Sequence, residues 1–325
     1  MKEIDITRIG GIGIGQVEDR EGGTGCTVLV AHSAQGMPAG ADVRGGGPAS
    51  RESELLKPLA AATAIHAIVL SGGSAYGLGA ADGVMRCLAE RGIGYDVGVC
   101  RVPPVCQSDL FDLTVAHADR WPTAEDGYRA ASIALEGGNY RDGSYGAGCG
   151  ATVGKWRGMA ACMKSGIGSY AVQVGELQVG AIVCVNALGD IYDWRSGRRV
   201  AGLLTPDRAA LADTVEAMLE RTEAIENKFT GNTTLGVVLT NGAFDKTRLC
   251  KIAGMAHNGF ARSIRPVHTS ADGDSIYAVS LGTVPADADL VGTLAADVMS
   301  EAILRAVARC GSAYGYPCAR DLGTV

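Results

Sequence analysis

A short polar segment beside a predicted buried strand carries the residues best suited to covalent chemistry. The segment reads, in order, Gly231, Asn232, Thr233, Thr234 and an apolar run over residues 235–239. A threonine hydroxyl is a weak nucleophile, but a threonine at a free chain end also carries an α-amine that can act as its base. Cleavage between Asn232 and Thr233 would create that pair of groups on one residue. The alternative interpretation is a Gly-Asn turn entering an ordinary strand, a common turn sequence.

Other glycine-rich segments do not complete the motifs that they partly match. The loop at 141–155 has Cys149 and Trp156 where a phosphate-binding Walker A loop needs glycine and a hydroxyl residue. The turn at 72–74 has Tyr76 where a serine nucleophile elbow needs glycine. No H-x-x-x-H or H-E-x-x-H motif is present. We therefore predict that the protein has no metal site and needs no cofactor.

Composition narrows the class of protein. The 325 residues are 47% apolar and 20% charged, which is typical of a globular chain with a large core. A net charge of -6 and a pI near 5.4 argue against a nucleic-acid partner. The start lacks the apolar stretch of a signal peptide, and no apolar run approaches the length of a membrane span. We predict a cytoplasmic protein without a membrane partner, whose ten cysteines are reduced.

Apolar periodicity predicts the elements that must position the threonine. Strands are predicted at residues 26–31, 66–70, 159–174, 177–186, 233–240 and 275–281. Helices are predicted at residues 74–90, 123–135, 206–224, 245–261 and 286–310, with Ser74 and Thr205 as N-caps of the first and third. Two prolines argue against a central strand within residues 102–113. Residues 41–56 are predicted to form a polar Gly-Pro loop. Paired strands and long helices favour a layered α/β fold with sheets between helices.

Six blocks in this order resemble the L-aminopeptidase/D-esterase family, which includes the β-peptidyl aminopeptidases and the nylon-oligomer hydrolases. They are D-V-R-G-G-G-P, L-S-G-G-S-A-Y-G-L-G-A-A-D-G-V, V-P-P-V with F-D-L, Y-G-A-G-C-G-A-T-V-G-K, N-T-T-L-G-V-V-L-T-N and H-T-S-A-D-G-D. The resemblance covers nearly the whole chain. It implies an α/β fold, a four-layer α-β-β-α sandwich of the self-processing N-terminal-nucleophile type, as one catalytic domain over residues 1–325.

The resemblance also implies a self-cleavage site and a set of catalytic residues. The cut falls between Asn232 and Thr233, giving a large subunit of residues 1–232 and a small subunit of residues 233–325. Thr233 is then the nucleophile. The residues that match the family's supporting groups are Lys155, Asn186, Asp272 and Asp274.

The chemistry of these residue types fits those roles. A side-chain amide such as Asn186 can stabilise the oxyanion formed when the hydroxyl attacks a carbonyl. A lysine such as Lys155 beside the new α-amine would lower the pKa of that amine, so that it can accept a proton near neutral pH. Asp272 and Asp274 lie two residues apart and can orient these groups. Their alternative is a simple Asx-turn, and a lone lysine is commonly a surface residue.

This chain departs from the family's pattern at two residues that we associate with substrate specificity. Relatives often carry a glutamate before G-x-x-G-A-G, where this chain has Asp142, and Tyr145 in the same loop is also unusual. We predict that both contact a small peptide or amide substrate with a free amino end, such as a β-peptide or an aminohexanoate oligomer. The family further implies a homo-oligomer, a tetramer of processed heterodimers. Two alternatives stay open: an acyl transferase similar to the ornithine acetyltransferases, and an uncleaved binding protein.

Overall fold

Apolar runs form strands and periodic segments form helices in the computed structural model, which describes residues 1–220 and 231–325. The strands of these ranges are, in chain order, β1 (Lys2–Ile4), β2 (Ile12–Asp19), β3 (Thr24–Ala31), β4 (Ala39–Val43), β5 (Ala49–Arg51), β6 (Ala67–Ser71), β7 (Tyr95–Asp96), β8 (Arg101–Val102), β9 (Val105–Asp109), β10 (Thr152–Val153), β11 (Met163–Lys164), β12 (Ile167–Val174), β13 (Leu177–Asn186), β14 (Asp190–Tyr192), β15 (Arg199–Ala201), β16 (Thr233–Gly242), β17 (Ile264–Arg265) and β18 (Ser275–Val284). The α-helices are α1 (Ala80–Glu90), α2 (Ala124–Leu135), α3 (Thr214–Leu219), α4 (Lys246–Ser263) and α5 (Ala288–Arg309).

Most of the long strands lie in two sheets. The six-stranded sheet has the order β1-β12-β13-β16-β18-β4, and the five-stranded sheet has the order β2-β3-β6-β9-β5. Neighbouring strands are antiparallel except for β16 with β18 and β6 with β9, which are parallel. Each sheet therefore holds one parallel pair near its middle. The other neighbouring strands are antiparallel, the arrangement that a short hairpin can connect.

The two faces of β16 explain how the layers form. Leu235, Val237 and Leu239 pack in a core between the two sheets, whereas Val238 packs in a second core with residues of α4 and α5. Alternate side chains of a strand point to opposite faces, so a strand that is buried on both faces must be apolar throughout. A third core joins the five-stranded sheet to α1 and α2. The result is a helix–sheet–sheet–helix sandwich, and the predicted four-layer fold is confirmed.

Several predicted elements are found at or near their predicted positions, and the N-termini of three long helices have side-chain caps. Thr123 caps α2 in a capping box with Asp126. Asp245 accepts a hydrogen bond from the main-chain nitrogen of Arg248 at the start of α4, and Asp287 caps α5 in the same way. Such caps satisfy main-chain N–H groups that have no partner inside the helix.

Two predicted helices differ from the structure. Residues 74–90 form a 3-10 helix over Ser74–Gly79 before α1, and Ser74 is not its N-cap because it lies inside this 3-10 helix, with Gly73 in the N-cap position. In the predicted helix 206–224, the helix begins only at Thr214, where Asp213 rather than Thr205 accepts the N-cap hydrogen bonds. Residues 221–224 of that prediction lie outside the described residues.

The prediction against a central strand in residues 102–113 is wrong. β9 pairs with β6 on one side and β5 on the other, so it is an interior strand. The two prolines precede β9 and therefore do not interrupt its hydrogen bonds. The predicted strand 159–174 is shorter, because Met159–Ala161 forms a 3-10 helix and β11 pairs with β10 instead. The predicted loop 41–56 contains part of β4 and all of β5.

The helices in the described part of the chain do not meet the requirements for a membrane-spanning helix. None of its helices is both long enough and apolar enough to cross a bilayer.

Candidate active site

Strand register places Thr233 directly beside Asn186. Thr233 begins β16, Asn186 ends β13, and the two residues are partners in the antiparallel ladder. Side chains of directly paired residues lie on the same face of a sheet. By alternation this is the face of Leu235 and Cys184, which pack between the two sheets. Thr233 is 4% exposed and Asn186 fully buried, so the site lies inside the sandwich at one end of the two strands.

The hydroxyl of Thr233 lies against the peptide bond that the sequence predicts to be cut. Its Oγ donates a hydrogen bond to the carbonyl oxygen of Asn232. The main-chain N–H of Gly273 donates to the same oxygen at 2.9 Å. A Cβ on Gly273 would lie 2.7 Å from the Thr233 Oγ, so a larger residue would displace the hydroxyl. Glycine at this position therefore allows the acidic loop to approach the threonine closely.

The side-chain amide of Asn186 is held at both ends. Its Nδ2 donates to the carbonyl oxygens of Phe111 at 3.0 Å and Gly231 at 3.2 Å. Its Oδ1 accepts from the Lys155 Nζ at 2.6 Å and the Thr152 main-chain nitrogen at 3.1 Å. These partners fix which end of the amide carries the donors. The Nδ2 thus points at the carbonyl one residue before that of Asn232, whose oxygen is contacted by the Gly273 N–H instead, so Asn186 is a candidate oxyanion donor for a substrate rather than for the cut.

Lys155 is a buried cation whose three hydrogen bonds go to amide and carbonyl oxygens. Its Nζ donates to the Asn186 carbonyl at 3.0 Å, in addition to the Oδ1 of that residue, and to the Gly231 carbonyl at 3.1 Å. Burial lowers the pKa of Lys155 to about 8, although the negative charges of Asp272 and Asp112 oppose this shift. The lysine can therefore exchange a proton at mildly alkaline pH. Lys155 is therefore a buried residue beside Asn186 rather than a surface lysine, and its catalytic role stays a prediction.

The two aspartates brace the start of β16. Asp274 accepts from the main-chain nitrogen of Thr234 at 2.7 Å through one oxygen, and from the His268 Nδ1 at 2.9 Å through the other. Asp272 accepts from the hydroxyl and main-chain nitrogen of Thr269 at 2.6 and 2.8 Å. Burial and the charge of Asp274 raise the pKa of Asp272 to about 6. In the described hydrogen bonds, the Asp272 carboxylate bonds to its own loop, the Asp274 carboxylate bonds to its own loop and to β16, and neither bonds to Lys155.

The glycine-rich loop after β4 holds the main chain of these two aspartates. The main-chain nitrogens of Arg44 and Gly45 donate to the Asp274 carbonyl, and that of Gly47 donates to the Asp272 carbonyl at 2.9 Å. A Cβ on Gly45 would lie 2.3 Å from the Asp272 carbonyl oxygen. The D-V-R-G-G-G-P segment thus positions the acidic loop through its main chain, which only a residue without a side chain permits.

Asp142 and Tyr145 lie in a different part of the molecule. The Asp142 carboxylate accepts from the hydroxyls of Tyr140 at 3.0 Å and Ser169 at 2.9 Å. Ser169 pairs with Ile182, four residues before Asn186 along β13, which corresponds to roughly 13 Å at the usual strand rise. Asp142 and Tyr145 line a surface cavity of about 480 Å³. The structure does not bring them to Thr233, and their contact with a substrate stays a prediction.

Sequence reasoning missed a second buried lysine. Lys164 donates to three main-chain carbonyls, those of Gly148 at 3.1 Å, Ala151 at 3.0 Å and Ser165 at 2.6 Å. It thereby ties down the loop that leads to Thr152 and Lys155. Burial lowers the pKa of Lys164. The available signal was a lone lysine inside an apolar run, which we assigned to a strand.

Comparison with known proteins gives a consistent result. Residues 5–317 match the model of a family described as peptidase family S58. An uncharacterized aminopeptidase of Mycobacterium tuberculosis is 36% identical over 348 aligned positions, covering 98% of this chain and 97% of the relative. A 6-aminohexanoate-oligomer endohydrolase of Agromyces sp. is 30% identical, covering 91% of this chain and 84% of the relative.

Solved structures with low sequence identity share the fold. A Burkholderia sp. beta-aminopeptidase superposes with a TM-score of 0.64 at 18% identity, covering 95% of this chain and 88% of the other. The L-aminopeptidase D-ala-esterase/amidase of Ochrobactrum anthropi, described as a new variant among the Ntn hydrolase fold, gives a TM-score of 0.63 at 17% identity, covering 94% and 86%.

Proposed function

The chain belongs to peptidase family S58 and is therefore a hydrolase of peptide or amide bonds; we propose that it cuts itself before Thr233 and then uses Thr233 as an N-terminal nucleophile. One observation carries this proposal. The Thr233 hydroxyl contacts the carbonyl of the preceding residue, and a main-chain N–H from Gly273 reaches the same oxygen at 2.9 Å. A nucleophile and an oxyanion donor thus converge on a single peptide bond.

The cut begins with attack of the Thr233 Oγ on the carbonyl carbon of Asn232. The hydroxyl proton passes to the nitrogen of Thr233, the C–N bond breaks, and the Asn232 acyl group is left as an ester on the threonine oxygen. Water then hydrolyses the ester to the Asn232 carboxylate and the free Thr233 hydroxyl. The α-nitrogen is an amide at the outset and cannot be the base. Asp272, Asp274 or Lys155 must assist the proton transfer, and Asp272, with its pKa of about 6, can accept a proton at neutral pH.

Turnover uses the amine that the cut releases. The α-amine of Thr233 takes the proton of its own hydroxyl, and the oxygen attacks the substrate carbonyl. Asn186 donates to the oxyanion through Nδ2, and the charge of Lys155 lowers the pKa of the amine. Collapse of the intermediate expels the substrate's amine, which takes up the proton held by the α-amine, and water then hydrolyses the acyl ester to free the Thr233 hydroxyl.

The proposed substrate is a short peptide or amide with a free amino end. The names of the relatives support this class, since they include an aminopeptidase and an endohydrolase of 6-aminohexanoate oligomers. β-Peptides and aminohexanoate oligomers are therefore the first compounds to assay. An assay that offers both water and an acceptor amine separates hydrolysis from acyl transfer, because only a transferase yields the acylated amine as its main product.

N-terminal sequencing tests the cut directly. We expect purified protein to separate on a denaturing gel into residues 1–232 and 233–325, with the smaller fragment beginning T-T-L-G-V. A small fragment with another first residue would remove Thr233 from its role. A single full-length chain after long incubation would instead support a protein that binds without cutting.

We also propose that the processed pair forms a homotetramer in the cytoplasm. Exposed apolar side chains support an assembly: Val97 and Val99, between β7 and β8, are 54% and 91% exposed, and Leu59 is fully exposed. Burial of such residues between copies stabilises symmetric oligomers. Light scattering should give about four times the 33.3 kDa mass of one chain; the mass of a single unit would refute the tetramer.

A further inference from the structure

We propose that Asp112 is a positioning residue: it fixes the Phe111 carbonyl against Asn186 and so aims the other N–H of that amide at the substrate's carbonyl oxygen. This inference rests on the proposed function, in which Asn186 is the oxyanion donor. It gives a role to the L-S-G-G-S and F-D-L segments, whose residues do not touch the Thr233 hydroxyl in the described contacts.

The Asp112 carboxylate fills a closed space between two glycine turns. Asp112 is 2% exposed, and its Oδ1 accepts from the main-chain nitrogen of Gly73 at 2.8 Å. A Cβ built on Gly72 would lie 2.0 Å from the Oδ2, and one on Gly150 would lie 2.7 Å from it. The carboxylate therefore has little room for another position, and the chain on either side of it is fixed.

Two further hydrogen bonds fix the residue before Phe111. The main-chain nitrogen of Leu110 donates to the Ser71 carbonyl at 2.8 Å, and that of Ser74 donates to the Leu110 carbonyl at 2.9 Å. Ser74 adopts its left-handed φ of 53° in making this contact, a conformation that costs energy outside glycine. Phe111 thus lies between two anchored residues, so its carbonyl direction is set by the turn at residues 71–74.

The anchored carbonyl joins the two sheets at the site. Phe111 follows β9 of the five-stranded sheet, whereas Asn186 ends β13 of the six-stranded sheet. The Asn186 Nδ2 carries two hydrogens. The first N–H of Nδ2 donates to the Phe111 carbonyl at 3.0 Å. The second N–H points toward the Gly231 carbonyl, at 3.2 Å from Nδ2. If the Phe111 carbonyl moves, the amide can rotate and the second N–H loses its aim.

A double-mutant cycle tests this coupling on fully processed protein, with processing checked on a gel. We expect Asp112→Ala to lower kcat about 10-fold with KM changed less than about twofold, since a misaligned donor weakens transition-state binding more than substrate binding. Asp112→Asn keeps an oxygen for the Gly73 N–H and should retain kcat within about threefold. In an Asn186→Ala background, Asp112→Ala should cause no further loss.

Matched variants make the result decisive. Asp119→Ala removes an exposed carboxylate seven residues further along and should leave kcat unchanged. If Asp112→Ala is insoluble, Asp112→Ser replaces it, because serine is too short to reach Gly73. Losses that multiply in the double variant, or a raised KM with unchanged kcat, would overturn the inference. If Asn186→Ala lowers kcat while Asp112→Ala does not, the positioning role alone fails; if Asn186→Ala has no effect, the proposed mechanism fails with it.

Discussion

Two carboxylate clusters in this protein, one around the half-buried Asp142 and one around the buried Asp272, differ in what surrounds them. Around Asp142, the carboxylate accepts from two hydroxyls, of Tyr140 and Ser169, and burial raises its pKa. Around Asp272, burial again raises the pKa, but a second aspartate, a buried lysine and a threonine hydroxyl lie in the same cluster. A carboxyl pKa raised by removal from water is thus common to both. The difference is that only the Asp272 cluster combines a nucleophile with groups that can move a proton and stabilise an oxyanion.

The lesson is that a shifted pKa identifies a buried group, whereas convergence on one bond identifies chemistry. Thr233 and Gly273 meet at the carbonyl of Asn232. The described contacts of Asp142 and Tyr145 show no such shared target. Substitutions in the two clusters should therefore have very different effects, and each prediction below tests that contrast.

Replacing the nucleophile should have the largest effect. Thr233→Ala should leave one 325-residue chain with no amide hydrolysis, because both steps use the same oxygen. Thr233→Ser should keep both activities, since only a methyl group is lost. Denaturing gels and a hydrolysis assay measure the two steps.

Thr234→Ala provides the matched control for this experiment. Thr234 is the next residue of β16, is equally buried, and points to the opposite face. We expect this variant to cut itself and to hydrolyse amides. Wild-type cutting and hydrolysis by Thr233→Ala would contradict the whole mechanism.

Removing the oxyanion donor should separate turnover from processing. Asn186→Ala should lower kcat about 100- to 1,000-fold. The cut should survive, because the Gly273 N–H, not Asn186, donates to the Asn232 oxygen. Asn241→Ala, at the far end of β16, removes the same side chain away from the site and should leave kcat near the wild-type value. Equal loss of both steps in Asn186→Ala would show that one donor serves both.

Burial of Lys155 should make the free energy of unfolding depend on pH. The pKa of Lys155 is about 8 when folded, against 10.5 for an ordinary lysine, so the unfolded chain binds more protons between these values. The free energy of unfolding should therefore gain roughly 3 kcal/mol from Lys155 as pH rises through this window. Denaturant titrations in the uncut Thr233→Ala background should show this gain shrinking in Lys155→Met.

An exposed lysine serves as the control for that measurement. Lys251→Met changes the same residue type on the solvent side of α4 and should keep the pH dependence of the parent. Identical curves for Lys155→Met and its parent would mean that Lys155 is not the group that titrates.

Substitution in the other cluster should have the smallest effect. Asp142→Ala should raise KM a few-fold for substrates with a free amine and leave kcat unchanged, as expected for uniform binding. N-acetylated substrates should show no change. Asp5→Ala, which alters another carboxylate of the same cavity, is the comparison variant. A large fall in kcat would place Asp142 in the chemistry and erase the contrast between the clusters.

The sequence alone determined the layered fold and several of its elements. The apolar run of residues 235–239 in β16 has no polar side chain to turn outward, so it must be covered on both faces. The helices predicted to start at residues 123 and 245 have their N-caps there, because the side chains of Thr123 and Asp245 accept hydrogen bonds from N–H groups that have no partner inside the helix. The strand β9 and the late start of α3 were not predicted, because the two prolines lie just before β9 rather than within it and because Asp213, not Thr205, caps α3.

Tertiary structure alone decided how the candidate residues meet. Lys155, Asn186, Thr233 and Asp272 could be named from sequence blocks, but their spacing along the chain says nothing about which atoms touch. The register of β13 with β16 pairs Asn186 with Thr233 and leaves Asp142 several residues away along the neighbouring strands. The Phe111 carbonyl and the Gly273 N–H carry no side-chain signal, because every residue except proline has both groups. Their roles exist only where the fold aims them, at the junction of the two sheets.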